Sequence, residues 1–177
     1  MNQKIIISHR GNLEGPNPLW ENNIGYIESA LKVSLFCEVD LWRFGQYLFL
    51  SHDKPQTTGQ YQLGIEQFLG DNRDKLVIHC KNIQALQMMT SLRNKHQYNY
   101  FWHENDQYTL TSKEWIWAFP NKGVYSSDNL SLDAFTVAVL PELENTNTTN
   151  FMAICTDYVY QYMAKNTFEI EKELKKT

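Results

Sequence analysis

The chain has 177 residues, a formal net charge of −4 and 42% hydrophobic residues. This length suits one domain with a sizeable core, and the 14% share of aromatic residues excludes an intrinsically disordered chain. The acidic balance, with no Lys/Arg run longer than two residues, argues against nucleic acid or an anionic membrane surface as a partner. No window approaches the ~20 apolar residues that a membrane helix needs, so we predict no membrane insertion.

The cysteines and the start of the chain bear on the cellular compartment. Cys37, Cys80 and Cys155 are odd in number and far apart, and each lies in an apolar run. Buried, reduced thiols explain this distribution better than disulfides do. The first residues lead directly into the short apolar stretch Ile5–Ile7, which does not fit a signal peptide. We therefore predict a cytoplasmic protein.

The first half of the chain alternates short apolar runs with amphipathic stretches. Asn22 and Asn23 can cap the first helix, and Gly45 turns the second strand back into an antiparallel partner. Strand–helix–strand units of this kind indicate parallel strands joined by crossover helices. Predicted strands cover residues 4–8, 35–42, 47–51 and 76–80, and predicted helices cover residues 24–33, 64–69 and 83–95.

The second half has short strands and few helical segments. Predicted strands cover residues 98–103, 107–111, 114–119, 134–140 and 152–155, and a short helix follows the last of them. About seven main strands in one domain predict an α/β fold, a reduced TIM-type (β/α) barrel that has lost several helices in its second half, because complete barrels need about 250 residues. We assign residues 1–165 to this single barrel domain and residues 166–177 to a charged C-terminal tail.

Glu38 and Asp40 are two residues apart on a predicted strand, so both side chains point to one face of the sheet. Two converging carboxylates repel each other unless a cation lies between them, and oxygen ligands favour a hard ion such as Mg²⁺ or Ca²⁺. A solvated strand face would give the same spacing. The pair lies near the C-terminal end of a buried strand, however, and barrels carry their active sites at that end.

His79 and Lys81 repeat this spacing on the next buried strand. A lysine that ends a buried run indicates an anion or a carboxylate partner, whereas His79 alone can equally be a satisfied core residue. His9 and His52 also follow apolar strands. Two histidines can act as general acid and general base because their unperturbed pKa lies near neutral pH. With Arg10 as a phosphate ligand, the set indicates a site for phosphodiester cleavage.

The order of these motifs resembles the signature of a known family. His9-Arg10-Gly11, then Glu21-Asn22 at the start of a helix, then Glu38-Val39-Asp40 and then His52-Asp53 look like the ordered motifs of the glycerophosphodiester phosphodiesterase family. That family belongs to the phosphoinositide-phospholipase-C-like barrels. Thr156-Asp157-Tyr158 resembles the end of the family's last strand. The motifs are dense only in the first half of the chain.

The resemblance implies a role for each matched residue. A hydroxyl group of the substrate attacks phosphorus in the family, a histidine protonates the leaving alcohol, and a cyclic phosphate forms that is hydrolysed or released. By this resemblance His9 and His52 would be the catalytic acid/base pair, Arg10 and Lys81 would bind the phosphate, Glu38 and Asp40 would bind a divalent cation, and Glu21 would support Arg10.

Two departures from the family pattern widen the prediction. His79 stands where the family has a third metal-binding carboxylate, and an imidazole suits Mn²⁺ or Zn²⁺ better than Ca²⁺. The family's inserted region after His-Asp is reduced to residues 54–75. We therefore expect a short, divergent branch of the family, in which Glu38, Asp40 and His79 hold one divalent cation: Mg²⁺, Mn²⁺ or Ca²⁺, with Zn²⁺ as a further candidate.

Further candidates lie in the second half of the chain. His103 follows a predicted strand and could contact metal or substrate at the barrel mouth, or belong to a polar turn. Trp117 and Phe119 share one strand face and are expected in the core, with stacking of Trp117 on a sugar or base as the alternative. Glu142 and Glu144 end a later strand and could also reach the site.

Three functions are compatible with these motifs. The leading hypothesis is a metal-dependent phosphodiesterase acting on a small alcohol- or sugar-phosphodiester, which would be its small-molecule partner. The alternatives are a non-catalytic module that binds such a ligand on a degenerate barrel, and a lyase that releases the cyclic phosphate. The two histidines favour catalysis, because phosphate binding alone would need Arg10 and Lys81 but no proton donor.

Overall fold

The computed structural model describes residues 4–56, 62–119, 135–144, 148 and 150–174. Nine strands within these residues form one sheet. They are β1 (Ile5–His9), β2 (Phe36–Phe44), β3 (Tyr47–Leu50), β4 (Leu76–Cys80), β5 (Asn99–Phe101), β6 (Tyr108–Leu110), β7 (Ile116–Ala118), β8 (Thr136–Val139) and β9 (Ala153–Thr156).

The sheet follows the order β5-β4-β2-β1-β9-β8-β7-β6, and β3 pairs with β2 beside this path. All neighbouring pairs from β5 to β7 are parallel, so seven strands run in one direction. β3 and β6 are antiparallel to their partners. The predicted reduced TIM-type barrel with about seven main strands is therefore confirmed.

The path of eight strands is nearly closed between β5 and β6. Isolated hydrogen bonds take the place of a strand ladder there: Ser112 N donates to Tyr100 O at 2.8 Å, and Thr109 Oγ1 donates to Trp102 O at 3.1 Å. The sheet thus curls round on itself, and alternate side chains of each strand face an enclosed interior.

Four α-helices lie in the described residues: α1 (Ile24–Ala30), α2 (Ile65–Asp71), α3 (Ile83–Ser91) and α4 (Val159–Leu174). α1 begins where the sequence predicts, since the Asn23 side chain accepts a hydrogen bond from Gly25 N. α3 is shorter than the predicted helix over residues 83–95, because Leu92 is extended with ψ 136°. None of the described residues between β5 and β9 forms an α-helix, so the expected loss of helices from the second half is confirmed.

α4 crosses the expected boundary between the barrel and its tail. A short helix and a separate tail are predicted, but one helix continues from Val159 to Leu174. Across the residues that the structure describes, the helices lack the length and hydropathy required to cross a membrane.

Two apolar layers lie on opposite faces of the sheet. The outer layer packs β2, β3 and β4 against α1, α2 and α3, and includes Val39 and Ile78. The inner layer fills the lower part of the barrel and includes Ile7, Val77 and Trp117. Trp117 is 1% exposed, which confirms its expected place in the core. The inner layer forms the apolar floor on which the polar site stands.

Candidate functional site

Polar side chains lie above the apolar floor, at the C-terminal ends of the strands. His9 follows Ile7 on β1 and His79 follows Val77 on β4, because side chains two positions apart share one face. A cavity of about 320 Å³ opens above them. Its polar lining consists of His9, Arg10, Glu38, His52, His79, Lys81, His103 and Glu104. Asp40 and Glu21 are absent from this lining, but both form ion pairs with Arg10.

Glu38, Asp40 and His79 form a buried cluster at the cavity. The two carboxylates point inward from β2, whereas Val39 between them points to the outer layer, as predicted. His79 Nδ1 on β4 lies 3.1 Å from Asp40 Oδ1 and 3.9 Å from Glu38 Oε1. One ligand atom from each residue lies within 4.8 Å of the others, so the cluster can hold a metal ion.

The chemistry of this donor set fits a divalent cation. Glu38 Oε2 is a buried carboxylate oxygen with no hydrogen-bond partner among the described residues, whereas Asp40 Oδ1 has contacts with His79 and Lys81. Burying an oxygen such as Glu38 Oε2 without a partner costs free energy, which a bound cation would offset. Two carboxylates and an imidazole are ligands that Mg²⁺, Mn²⁺ or Zn²⁺ accept.

Asp40 is the point on which the charges of the site converge. Arg10 Nε lies 2.8 Å from its Oδ2, and Lys81 Nζ lies 3.4 Å from its Oδ1. Asn22 fixes the same residue, since its Nδ2 donates to Asp40 Oδ2 at 3.0 Å and its Oδ1 accepts from Asp40 N at 2.9 Å. Burial alone would raise the pKa of Asp40, but contact with His79 and the charges of Arg10 and Lys81 outweigh it and hold the pKa well below its usual range. Asp40 is therefore ionised.

The pKa of Glu38 shifts in the opposite direction from that of Asp40. Burial and repulsion from the ionised Asp40 raise the pKa of Glu38, and the positive charges of His9, Arg10 and Lys81 offset this only in part. A cation between the two carboxylates would remove the repulsion and favour the ionised form of Glu38.

His9 is held by a carboxylate from the last strand. Its Nδ1 lies 2.7 Å from Asp157 Oδ1, and its Nε2 lies 3.8 Å from Glu38 Oε2. Burial opposes the charged imidazolium, but the hydrogen bond with Asp157 and the charge of Glu38 outweigh it and raise the pKa of His9. Because the ionised Asp157 can only accept, Nδ1 carries the proton of the neutral ring, and Nε2 has its lone pair on the Glu38 side.

β1 ends in a tight turn that directs Arg10 into the site. Arg10 has φ 55° and Gly11 has φ 94°, a region that side chains with a Cβ rarely adopt. Arg10 N donates to Glu38 O at 3.0 Å and Asn22 N donates to Arg10 O at 3.1 Å, so the turn is held from both sides. A Cβ on Gly11 would lie 2.7 Å from Tyr26 Cδ1. The turn therefore requires glycine at residue 11.

His52 and His103 occupy different parts of the cavity. The side chain of His52 is 51% exposed, with Nδ1 2.9 Å from Asp53 Oδ1, so it stands at the rim. His103 stacks on Phe119 with ring centroids 3.7 Å apart and on His79 at 4.6 Å. Burial and the nearby charges of His79 and Lys81 lower the pKa of His103 to about 4. His103 thus lines the cavity as a neutral ring.

Among the side chains that contact the predicted residues, Asn12, Asn22 and Asp157 were not predicted as site residues. Asp157 had a visible signal, because it follows the last apolar strand. Asn12 and Asn22 are loop amides whose partners lie elsewhere in the sequence; no local pattern marks Asn12, and Asn22 is marked only as a helix cap and as part of the Glu21-Asn22 motif. Glu142 accepts from Thr156 Oγ1 at 2.8 Å and from Asp157 N at 3.1 Å, so it contacts the end of β9. The side chain of Glu144 lies outside the described residues.

The architecture is that of a reduced TIM-type barrel with a polar site at the C-terminal ends of its strands. It is similar to the crystal structure of a protein from Galdieria sulphuraria, described as a "putative glycerophosphodiester phosphodiesterase". The similarity covers 93% of this chain and 98% of that chain, with a TM-score of 0.50 and 11% sequence identity. At this identity the similarity shows the fold alone. No protein-family model and no curated protein sequence matches the chain.

Proposed function

We propose that the chain is a metal-dependent phosphodiesterase that cleaves a small alcohol- or sugar-phosphodiester of the glycerophosphodiester type. One observation carries the proposal: a single cavity is lined by two histidines, two basic side chains, and Glu38 and His79 of the Glu38–Asp40–His79 cluster. These are the groups that phosphoryl transfer needs for proton movement, for binding the phosphate and for stabilising its charge.

Arg10 and Lys81 bind the phosphate in this proposal. Both side chains are 17% exposed, and both line the cavity. Their charges are already arranged around Asp40, so a bound phosphate meets them without a large rearrangement. Glu21 supports Arg10 through the 3.2 Å contact between Glu21 Oε2 and Arg10 Nη1. His103 contributes a neutral ring that stacks on His79.

His9 and His52 move the protons. His9 is the general base: Asp157 holds the proton of the neutral ring on Nδ1, so Nε2 can accept the proton of the attacking hydroxyl. His52 at the rim is the general acid that donates a proton to the leaving oxygen. One P–O bond forms and one breaks, and a proton passes through each histidine.

Glu38, Asp40 and His79 would hold one divalent cation, with Mg²⁺, Mn²⁺, Ca²⁺ and Zn²⁺ as candidates. When bound, the cation would stabilise negative charge on the non-bridging phosphate oxygens.

The proposal also places the chain in a reducing compartment such as the cytoplasm. Cys37, Cys80 and Cys155 are all free and buried, and burial raises the pKa of the Cys80 thiol to about 12. Such thiols are inert core residues that need no oxidising environment.

The test is cleavage of a glycerophosphodiester such as glycerophosphocholine, whose glycerol carries the attacking hydroxyl, by purified protein with Mg²⁺, Mn²⁺, Ca²⁺ or Zn²⁺. We expect turnover with at least one ion, and a loss of about 10²–10⁴-fold in kcat for His9→Ala. Glu38→Ala should also abolish turnover because it removes a cation ligand. His96→Ala changes an exposed histidine of the short 3₁₀ helix Lys95–Gln97 and serves as the control. Absence of turnover with all four ions would contradict the proposal. Phosphorus NMR of the product separates hydrolysis from release of a cyclic phosphate.

The charges around Asp40 favour a second candidate, a non-catalytic phosphodiester-binding module. Arg10 and Lys81 already contact this carboxylate, so the site can bind an anion without a metal ion. Calorimetry distinguishes the two functions, since a binding module would bind a phosphodiester in the presence of chelator and yield no product on long incubation.

A further inference from the structure

Asn12 is completely buried in the loop after β1, between two carboxylates that serve different parts of the site. Its Nδ2 donates to Glu21 Oε1 at 2.9 Å and to Asp157 Oδ1 at 2.8 Å. Glu21 contacts Arg10 Nη1, and Asp157 contacts His9 Nδ1. One side-chain amide therefore connects the residue proposed to bind phosphate with the residue proposed to accept a proton.

The other end of the amide is fixed as well. Asn12 Oδ1 accepts from Asn17 N at 3.2 Å and from Tyr26 Oη at 3.3 Å. Reversing the amide would set its oxygen against two carboxylates and its nitrogen against the N–H of Asn17, so the contacts with Glu21, Asp157 and Asn17 would be lost. The environment of Asn12 thus permits one orientation.

We propose that Asn12 is a positioning residue that sets Arg10 and His9 together, through Glu21 and Asp157. The inference rests on the proposed function and deepens it. An amide suits this place because its NH₂ group donates twice, whereas a hydroxyl donates once and a carboxylate not at all.

Without Asn12 the two carboxylates would face each other with no donor between them. Like charges at such a distance repel, most strongly in a buried setting. Glu21 and Asp157 would then move apart, and each would take its own partner with it. Loss of Asn12 should therefore displace Arg10 and His9 at once, although Asn12 contacts neither of them through its side chain.

The test uses Asn12→Leu and two measurements that need no turnover. Calorimetry with inorganic phosphate reports on Arg10, and the downfield proton resonance of His9 Nδ1–H reports on the contact with Asp157. We expect the Kd for phosphate to rise about tenfold. Losses of about 10–100-fold are found when a residue that hydrogen-bonds to a ligand-binding side chain is replaced. We also expect the His9 resonance to broaden or disappear, because its proton would exchange with water.

Ser34→Ala is the matched control. Ser34 is 3% exposed, and its Oγ lies 2.8 Å from both Ile6 O and Phe36 O, which share its one proton, at the opposite end of the same barrel. This variant also loses buried hydrogen bonding and stability, yet it should leave the phosphate Kd and the His9 resonance unchanged. Asn12→Ala is the milder variant if Asn12→Leu does not fold: a water can enter the space, so we expect both changes in the same direction but about threefold for phosphate.

Unchanged phosphate affinity, or an unchanged His9 resonance, in a folded Asn12 variant would overturn the inference, because coupling requires both to change. Equal changes in Ser34→Ala would also overturn it, since they would reflect general loss of stability. Failure of the proposed function would look different: the wild-type protein would show no turnover with any cation, while both measurements would still separate Asn12→Leu from the control. If turnover is found, Asn12→Leu should raise KM and lower kcat together.

Discussion

At the scale of single residues, the site depends on backbone conformations that most residues avoid. Arg10, Gly11 and Asn22 all have positive φ values, and all three lie where the end of β1 meets the start of α1. Asn tolerates this region, glycine suits it, and arginine is strained there. The two hydrogen bonds between this loop and its neighbours, Arg10 N to Glu38 O and Asn22 N to Arg10 O, hold the strained conformation in place.

Gly11→Ala should reveal how closely this loop is packed. The alanine would have to adopt the unfavourable φ of 94°, and its Cβ would lie 2.7 Å from Tyr26 Cδ1 and 3.3 Å from Ile27 N. We expect a loss of about 2–3 kcal/mol in the free energy of unfolding, measured by urea denaturation, together with reduced turnover because Arg10 and Asn12 flank this residue.

Gly45→Ala provides the control for backbone strain alone. Gly45 has φ 59°, and a Cβ there would meet nothing within 4 Å, so we expect a loss of only about 1 kcal/mol. If both variants lost the same free energy of unfolding, the close approach of residue 11 to Tyr26 would make no contribution to the loss.

At the scale of elements, β2 and β4 serve the core and the site at the same time. Val39 and Ile78 enter the outer layer, while the side chains beside them enter the barrel. β5 follows the same alternation, yet its inward Asn99 is 6% exposed and has no hydrogen-bond partner at either end of its amide among the described residues. A buried amide without partners destabilises the fold that contains it.

Asn99→Val should therefore stabilise the protein. Valine suits a strand and adds apolar surface to the barrel interior, so we expect a gain of about 1–2 kcal/mol in the free energy of unfolding, seen as a higher urea midpoint. Asn22→Leu should have the opposite sign, because both ends of that amide are hydrogen-bonded to Asp40. A less stable Asn99→Val would mean that the amide has a partner, such as a bound water.

The elements also show why part of the site was predictable from sequence. Alternation along a strand requires only neighbouring residues, so the spacing of Glu38 and Asp40 suffices to assign both to one face, whereas His79 was added to them through the family resemblance. The contact between His9 and Asp157 was not predictable in this way, because it depends on which strands pair. The end of α3 at Ser91 was also missed, since no glycine or proline marks it.

At the scale of the whole molecule, Glu38, Asp40 and His79 join two adjacent strands of the barrel. A cation bound to all three would bind the folded chain and not the unfolded one, since the unfolded chain has no such cluster. Its binding free energy would therefore add to the stability of the entire barrel.

Chelator-treated protein should accordingly melt at a higher temperature when a suitable divalent cation is added. At a cation concentration of about 100 times Kd the gain would be about 2.7 kcal/mol, measured by differential scanning fluorimetry. Glu38→Gln should lose most of this shift, whereas Glu66→Gln, which changes an exposed residue of α2, should keep it. An equal shift in both variants would contradict binding at the cluster.

The pairing of β1 with β9 has a consequence for how the protein is made. His9 and Asp157 are 148 residues apart in sequence and meet because the first strand of the sheet is hydrogen-bonded to the last. Contacts of such long range form late, since the loop between them must close first. During synthesis, β1 can pair with β2, but its other edge stays unpaired until β9 has left the ribosome. The pair of His9 and Asp157 would therefore be assembled only when the barrel is complete, and a nascent or truncated chain would lack it.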